Sequence, residues 1–148
     1  MSAFRVSLIG HRIVDNIDEI EQKVSCVAKN IILKNEYTEF YIGRNGDFDI
    51  IAASCIKKVQ SELNRFSSSI FLVLPYTVSN LEYYEKYYDA VIIPDELSAI
   101  HPKSAITKRN EWLISHSDLL IAYVVRSSGG AATCLKKAVK AELPIILL

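Results

Sequence analysis

The chain has 148 residues, a formal net charge of zero and a hydrophobic fraction of 50%. This length favours a single domain over residues 1–148, and the hydrophobic fraction is sufficient for a sizeable core. Zero net charge argues against partners that are held by bulk charge. We therefore expect neither nucleic acid nor a membrane as a partner, while local groups can still bind a small anion.

Cysteine usage and the start of the chain both indicate a reduced, cytoplasmic compartment. The three cysteines are widely spaced and form no Cys-x-x-Cys motif, which argues against a zinc site and a disulfide framework. The opening MSAFRVSLIG leads directly into a short strand, and no apolar run reaches the roughly 20 residues that span a bilayer. We expect no metal and no other cofactor.

Six apolar runs recur along the chain and predict β-strands. Most are continuous and do not alternate, which is typical of strands covered on both faces in a parallel sheet. In chain order, the runs are residues 4–10, 39–43, 69–76, 90–94, 118–125 and 144–148.

Helical patterns separate these strands. Apolar residues recur at helical spacing over residues 17–35, 48–66, 104–117 and 130–142. Strands that alternate with helices of this length predict an α/β fold with a doubly wound, open and mostly parallel sheet that carries helices on both faces.

The segment over residues 78–90 is less clear, because it pairs tyrosines at helical spacing. Tyr83 pairs with Tyr87, and Tyr84 pairs with Tyr88. One interpretation is a short amphipathic helix that covers the sheet. The other is a partner or lid surface, since tyrosines are enriched at interfaces.

The first strand-to-helix loop carries Gly10, His11 and Arg12. Such loops are candidate sites, because ligands of open α/β sheets bind beyond the carboxyl ends of the strands, where the strand order reverses. Glycine permits a close approach of the backbone, and an arginine can donate two parallel hydrogen bonds to a phosphate. The alternative is a plain turn beside a solvated arginine.

The second loop carries two glycines, an arginine and two acids in close succession. They are Gly43, Arg44, Gly46, Asp47 and Asp49. One of the two carboxylates has a structural alternative, because an acid at a helix N-terminus accepts backbone N–H bonds as a cap. A ligand site would account for the rest of the set.

The third loop places Ser128, Gly129, Gly130 and Thr133 between the fifth strand and the last helix. A helix N-terminus presents unpaired N–H groups and the positive end of its dipole, so this loop is a candidate anion site. It has neither the Gly-x-Gly-x-x-Gly fingerprint nor a Walker-type Gly-Lys-Ser/Thr sequence.

The helix before the fifth strand adds a fourth candidate. Arg109 and Asn110 form a polar pair near its start. Either they face a ligand, or they belong to a solvated helical turn.

Four segments match a known group of proteins in order and spacing. They are GRNGDFDIIAAS (43–54), FLVLPY (71–76), AITKRNEWLISHSDLLIAYV (105–124) and SSGGAATCLKKA (127–138). With these segments the chain resembles small bacterial proteins of the SLOG superfamily, over nearly its whole length. That superfamily is Rossmann-like and includes the lonely-guy phosphoribohydrolases and the DNA-processing protein A domain.

The resemblance implies a nucleotide or nucleotide-derived ligand in the crevice, with its phosphate on the Gly129–Gly130 loop. It also implies that residues 43–49 line the same cleft. Arg109 matches the arginine that faces the ligand in members of the superfamily, Asn110 adjoins it, and Gly10 matches the small residue after the first strand. Because homo-oligomers are common in the superfamily, the resemblance further implies a dimer or a larger assembly.

The chain departs from the lonely-guy motif Gly-Gly-x-Gly-Thr-x-x-Glu, whose glutamate acts in cleaving the N-glycosidic bond. Gly129, Gly130 and Thr133 align with the motif, but Ala132 replaces the third glycine and Lys136 stands in place of the glutamate. A lysine supplies no carboxylate beside a developing oxocarbenium ion. That reaction, by that residue, is not expected here.

Three functions remain open from the sequence. The first is a module that binds or senses a nucleotide-like small molecule without chemistry. The second is a hydrolase of the base–ribose bond, in which Asp49, Asp47 or Glu111 supplies the carboxylate and His11 protonates the departing base. The third is a non-enzymatic interaction protein that uses the tyrosine-rich segment.

Overall fold

Six parallel strands form one sheet in the computed structural model, which describes residues 2–64 and 66–148. Across the sheet the strand order is β4-β3-β2-β1-β5-β6, and all five neighbouring pairs are parallel. The predicted fold class is confirmed. The strands are β1 (Phe4–Gly10), β2 (Thr38–Ile42), β3 (Ser68–Val73), β4 (Ala90–Ile92), β5 (Leu119–Tyr123) and β6 (Ile145–Leu147).

The helices lie between the strands, as the apolar periodicity predicts. They are α1 (Ile17–Lys34), α2 (Asp47–Glu62), α3 (Leu81–Tyr87), α4 (Pro102–Ser115) and α5 (Gly130–Lys140), with a 3₁₀ turn at Asp95–Leu97. Across the described parts of the chain, none of them has both the length and the apolar composition of a membrane span.

Several helix boundaries differ from the prediction by one to four residues. The second helix ends at Glu62, short of the predicted end at residue 66, and Arg65 within the predicted span lies outside the described residues. Helix α4 begins two residues early, because Pro102 occupies its first turn and the His101 side chain accepts a hydrogen bond from the Lys103 N–H. A proline there loses no helical hydrogen bond, and its fixed φ suits the helix.

Two apolar cores cover the two faces of the sheet, because successive side chains of a strand point to opposite faces. In β1, Val6 and Leu8 belong to the first core and Ile9 to the second. Helices α1 and α2 cover the first core, while α4 and α5 cover the second through residues such as Leu113 and Cys134. The continuous apolar character of the strands reflects this burial on both sides.

The end of β1 is packed directly against the start of α2. Phe48 is fully buried, and a Cβ placed at Gly10 would lie 2.2 Å from the Cγ atom of its ring. The backbone N–H groups of Asp47 and Phe48 donate to the carbonyl oxygens of Arg12 (2.8 Å) and His11 (3.4 Å). Gly10 therefore serves close packing, and the loop after β1 caps α2.

We expect Gly10→Ala to destabilise the protein by about 1–3 kcal/mol, because the added methyl group overpacks the contact with the Phe48 ring. The matched control is Gly130→Ala, where an added Cβ meets nothing within 4 Å. That change should alter the free energy of unfolding by less than about 0.5 kcal/mol. Urea unfolding measures both, and equal losses would contradict the packing role of Gly10.

Candidate functional site

A cavity of about 470 Å³ opens at the carboxyl ends of the strands. It lies where the strand order reverses, since β1 has β2 on one side and β5 on the other. The loops after β1, β2 and β5 and the middle of α4 surround it. The predicted site residues that line it are Gly10, His11, Arg12, Gly43, Asp49, Arg109, Asn110, Ser128, Gly129 and Gly130.

Arg109 lies at the bottom of the cavity and is only 3% exposed. Its Nη1 donates to the Val73 carbonyl at 2.9 Å, and its Nε donates to Asn110 Oδ1 at 3.0 Å. A Cβ at Gly43 would lie 2.2 Å from Nη1, so the absence of a side chain at Gly43 makes room for the guanidinium. Burial lowers the pKa of Arg109, and the charge of Asp49 opposes that shift.

Asp49 brings a carboxylate to the same cavity from the first turn of α2. It is 8% exposed, and its Oδ2 accepts the Asn45 N–H at 2.9 Å. Burial raises the pKa of Asp49, while the Asn45 N–H and the charge of Arg109 favour the ionised form. A buried carboxyl with a raised pKa is well suited to hold a proton or a polar ligand group.

His11 joins the loop after β1 to the loop after β5. Its Nε2 accepts the N–H groups of Val125 at 2.9 Å and Arg126 at 3.1 Å. Burial, and then the charge of Arg126, lower the pKa of His11. An atom that accepts two N–H bonds carries no proton, so the ring is neutral, with its hydrogen on Nδ1. This arrangement disfavours the proton-donor role predicted for His11.

The start of α5 forms one wall of the cavity. Gly129 has a φ of 100°, which favours glycine, and it gives the helix no side-chain cap. Gly130 and Ala131 follow it and line the cavity, so the unpaired N–H groups of a helix N-terminus meet the open space. This wall suits an anion.

Two arginines from neighbouring loops also line the cavity. Arg12 lines the cavity from the loop after β1, and Arg126 lines it from the loop after β5. The Nη2 of Arg126 donates to the Ile13 carbonyl at 2.9 Å, which ties the two loops together. With Arg109, the lining carries three arginines against the single carboxylate of Asp49.

Two of the predicted carboxylates lie outside the cavity lining. Asp47 accepts the Val14 N–H through Oδ2 at 3.1 Å, a local structural role. Glu111 pairs with Lys137 at 2.9 Å and with Lys108 at 3.2 Å, and these pairs lower its pKa. Neither residue meets the cavity, which leaves Asp49 as the carboxylate that does.

Arg44 also points away from the cavity lining, towards helix α3. Its guanidinium carbon lies 4.9 Å from the centre of the Tyr84 ring. The tyrosine-rich segment is thus a short helix, with Tyr88 buried behind it and Tyr83 63% exposed. Its Leu81 and Tyr84 side chains pack against the first core, as the first interpretation predicts, whereas the partner or lid surface stays a prediction.

The remaining two predicted residues support the loops. Gly46 precedes α2 and lies against Arg12, since a Cβ there would lie 2.4 Å from the Arg12 Cα. Thr133 donates its hydroxyl to the Gly129 carbonyl at 3.1 Å. Both residues shape the cavity walls without lining them.

The sequence interpretation missed several lining residues. Arg126 is the most important, and its signal was an arginine directly after an apolar strand and two residues before Ser128. The other missed residues that line the cavity are Leu8, Ile9, Ile13, Asn45, Ile106 and Ala131.

The described residues near the cavity support neither a metal site nor a reactive cysteine thiol. Over residues 2–64 and 66–148, no group of three or more His, Cys, Asp or Glu side chains is placed to hold a metal ion. Cys134 is buried, and its burial raises the pKa of the thiol to about 11. A thiol with that pKa is almost entirely protonated at neutral pH and is a poor nucleophile.

No protein-family model and no curated protein sequence matches the chain. Solved structures do match. DNA processing protein A from Streptococcus pneumoniae has a TM-score of 0.71 at 12% identity, over 98% of this chain and 50% of that one. DNA processing protein A from Helicobacter pylori has a TM-score of 0.66 at 17% identity, over 97% of this chain and 64% of that one.

A third match is the molybdenum cofactor carrier protein of Chlamydomonas reinhardtii, with a TM-score of 0.61 at 17% identity over 100% of this chain and 77% of that one. The chain shares the Rossmann-like fold of these proteins. The resemblance stated from the sequence is confirmed in the fold. The chain spans about half to two thirds of the length of the two DNA processing proteins.

The expectation that nucleic acid is not a partner is contradicted. It was drawn from the zero net charge, yet the Helicobacter pylori protein of the same fold binds single-stranded DNA. Net charge is an average over the whole surface, whereas binding depends on the local field. In this chain three arginines gather at one cavity although the total charge is zero.

We expect the buried charges of Arg109 and Asp49 to be energetically coupled. Arg109→Met leaves the Val73 carbonyl without its donor and removes the cation near Asp49, which should cost about 1–3 kcal/mol or more. In an Asp49→Asn background that loss should be smaller by about 0.5–3 kcal/mol. Urea unfolding of the two single variants and the double variant measures the difference.

Glu111→Gln is the control on the same helix, because Glu111 makes surface ion pairs away from the cavity. It should change the free energy of unfolding by less than about 1 kcal/mol. Strictly additive losses for Arg109→Met and Asp49→Asn would show that the two charges do not interact.

Proposed function

We propose that the protein binds a nucleotide or nucleotide-derived ligand in this cavity, as a binding or sensing module. The observation that carries the proposal is that an uncapped helix N-terminus, Arg12 and Arg126 all line the same cavity. Helix N-termini and arginines both favour phosphate, and their joint presence is more specific than either alone.

The phosphate is expected to lie at the N-terminus of α5, between Gly129 and the two arginines. Charge-assisted hydrogen bonds contribute about 1.5–3 kcal/mol each, so three or four of them allow micromolar binding after the costs of association. The side chains of Arg12 and Arg126 are exposed at the mouth, where an incoming anion meets them first.

The rest of the ligand is expected to lie deeper, beside Ile106 and above Arg109 and Asp49, with the exposed side chain of Ile13 at its outer edge. The cavity volume of about 470 Å³ lies within the usual range for small-molecule sites. Apolar side chains suit a planar ring, while the buried guanidinium and carboxylate provide a donor and an acceptor for its polar edge. A nucleotide has both parts.

The same cavity suits either a free nucleotide or one nucleotide of a single strand. The Helicobacter pylori relative in fold binds single-stranded DNA, which supports including the second possibility for this chain. In both cases the recognised chemistry is a phosphate joined to a base by a sugar. The experiment below separates the two sources.

We expect a ligand of this class to raise the thermal midpoint by several degrees. A ligand at one hundred times its Kd adds about 2.7 kcal/mol of stability. The panel contains nucleoside monophosphates, cyclic nucleotides, NAD, ADP-ribose, nucleotide sugars and an oligothymidylate. A shift with the oligothymidylate alone would identify the single strand as the ligand.

The variant for this panel is Arg12→Gln with Arg126→Gln, which should lose at least half of the shift. Lys136→Gln is the matched control, because Lys136 is exposed on α5 and does not line the cavity. An unchanged shift in the double variant would move the anion site elsewhere, and no shift with any ligand would refute the proposal.

A second candidate function is hydrolysis of the base–ribose bond, favoured by one observation. Asp49 is buried at the cavity with a raised pKa, as an acid catalyst requires. If the protein is such a hydrolase, Asp49→Asn should abolish release of free base while the variant still binds the nucleotide. Chromatography of the reaction mixture measures the base, and full turnover by Asp49→Asn would exclude Asp49 as the catalytic acid.

A further inference from the structure

His11 is the point at which one side chain holds two neighbouring backbone N–H groups of another loop. Its Nε2 accepts from Val125 at 2.9 Å and from Arg126 at 3.1 Å, and the residue is 6% exposed. These two amides begin the segment that leads through Ser128 to Gly129. The loop that carries the candidate anion site is therefore held at its start by an imidazole.

We propose that His11 positions the loop after β5 for anion binding, and that this loop is released when the ring takes up a proton. The part that concerns the loop stands on the geometry alone. The part that concerns anion binding rests on the proposed function, with the phosphate at the N-terminus of α5.

The support for His11 is rigid on its own side. The carbonyls of His11 and Arg12 accept the first two N–H groups of α2, so the loop after β1 is fixed to a helix. On the other side, the segment from Val125 to Gly130 is exposed. A further side-chain hydrogen bond, from Arg126 to the Ile13 carbonyl, also ties it to the loop after β1.

Protonation reverses the role of Nε2. A neutral ring offers a lone pair there, whereas the imidazolium carries an N–H that would point at two other N–H groups. Both hydrogen bonds are then lost. A net value of about 1 kcal/mol each corresponds to roughly a 30-fold shift towards an open loop.

The groups around the ring favour its neutral form at neutral pH. Arg12 is adjacent in the same loop, Arg126 lies in the loop after β5, and the Tyr123 ring of β5 meets the imidazole edge-on at 5.7 Å between centres. From α2 the nearby acids are Asp47, which bonds the Val14 N–H, and Asp49, which bonds the Asn45 N–H. No carboxylate among the described residues hydrogen-bonds to the ring.

The sign of the pH dependence follows from the lowered pKa of His11. The unfolded chain binds a proton at His11 near pH 6.5, before the folded chain does. The contribution of the neutral ring to stability is thus complete above about pH 6.5, and it is lost as the pH falls from there to the lower pKa of the folded state.

A positive charge on His11 also attracts an anion, which opposes the effect of losing the loop. That attraction is a single through-space interaction, weakened by salt and by the open side of the cavity. Release of the loop affects the N–H groups at the start of α5 and the Arg126 side chain together, since residues 125–130 form one continuous segment. We therefore expect sulfate binding to weaken in acid.

The test compares wild type, His11→Gln and His11→Ala by NMR between pH 4.5 and 8. The amide oxygen of Gln replaces the Nε2 acceptor but takes up no proton in this range, so it separates positioning from titration. The readouts are the chemical shifts and hydrogen-exchange protection of the Val125 and Arg126 amides. A titration with sulfate, which keeps its charge throughout, gives the affinity of the anion site.

In the wild type we expect the two amides to lose protection by about 30-fold as the His11 ring titrates with a midpoint below pH 6.5, with sulfate affinity falling in parallel. His11→Gln should keep both amides protected and sulfate affinity flat over the whole range. His11→Ala should lack the protection at every pH. If that variant does not fold, the comparison of wild type with His11→Gln still shows whether protonation of the ring releases the loop.

Two results would refute the proposal, and a third would refute only the anion site of the proposed function. Amides that stay protected while the ring titrates would refute release of the loop. Sulfate affinity that rises in acid in the wild type but not in His11→Gln would refute the predicted sign. Amides that respond as expected, without sulfate binding at any pH, would keep the His11 contact and refute the anion site.

Discussion

The contact between the loop after β1 and the first turn of α2 is the constraint on which the cavity depends. The first two N–H groups of α2 donate hydrogen bonds to the carbonyls of His11 and Arg12. The Phe48 ring fills the space that Gly10 leaves open. This contact fixes the imidazole and, through the same helical turn, the carboxylate of Asp49. Two functional groups, one from the loop after β1 and one from helix α2, thus share one rigid support.

The fold was predictable from the sequence because its signals are periodic. Continuous apolar strands and helices with a single apolar face can only be buried together as a parallel sheet that is covered twice. The helix ends were less predictable, since Pro102 and the His101 side chain move the start of α4 by local hydrogen bonding. Boundaries depend on such single contacts, which periodicity does not report.

The candidate site was predictable in its location and less so in its members. Glu111 follows Arg109 by two positions, and 100° per residue places it about 200° around the helix, so both cannot face one cavity. That test was available from the sequence. Arg126 was missed for another reason, because it lies in a loop, where no periodicity indicates the direction of a side chain.

The packing of Arg109 against Gly43 restricts which residues can replace them during evolution. The guanidinium occupies the volume that any side chain at position 43 would need, and its hydrogen bond to the Val73 carbonyl favours that position. Positions 43 and 109 are therefore expected to change together during divergence. Relatives with a larger residue at position 43 should carry a shorter residue at position 109. The floor of their cavity should differ accordingly.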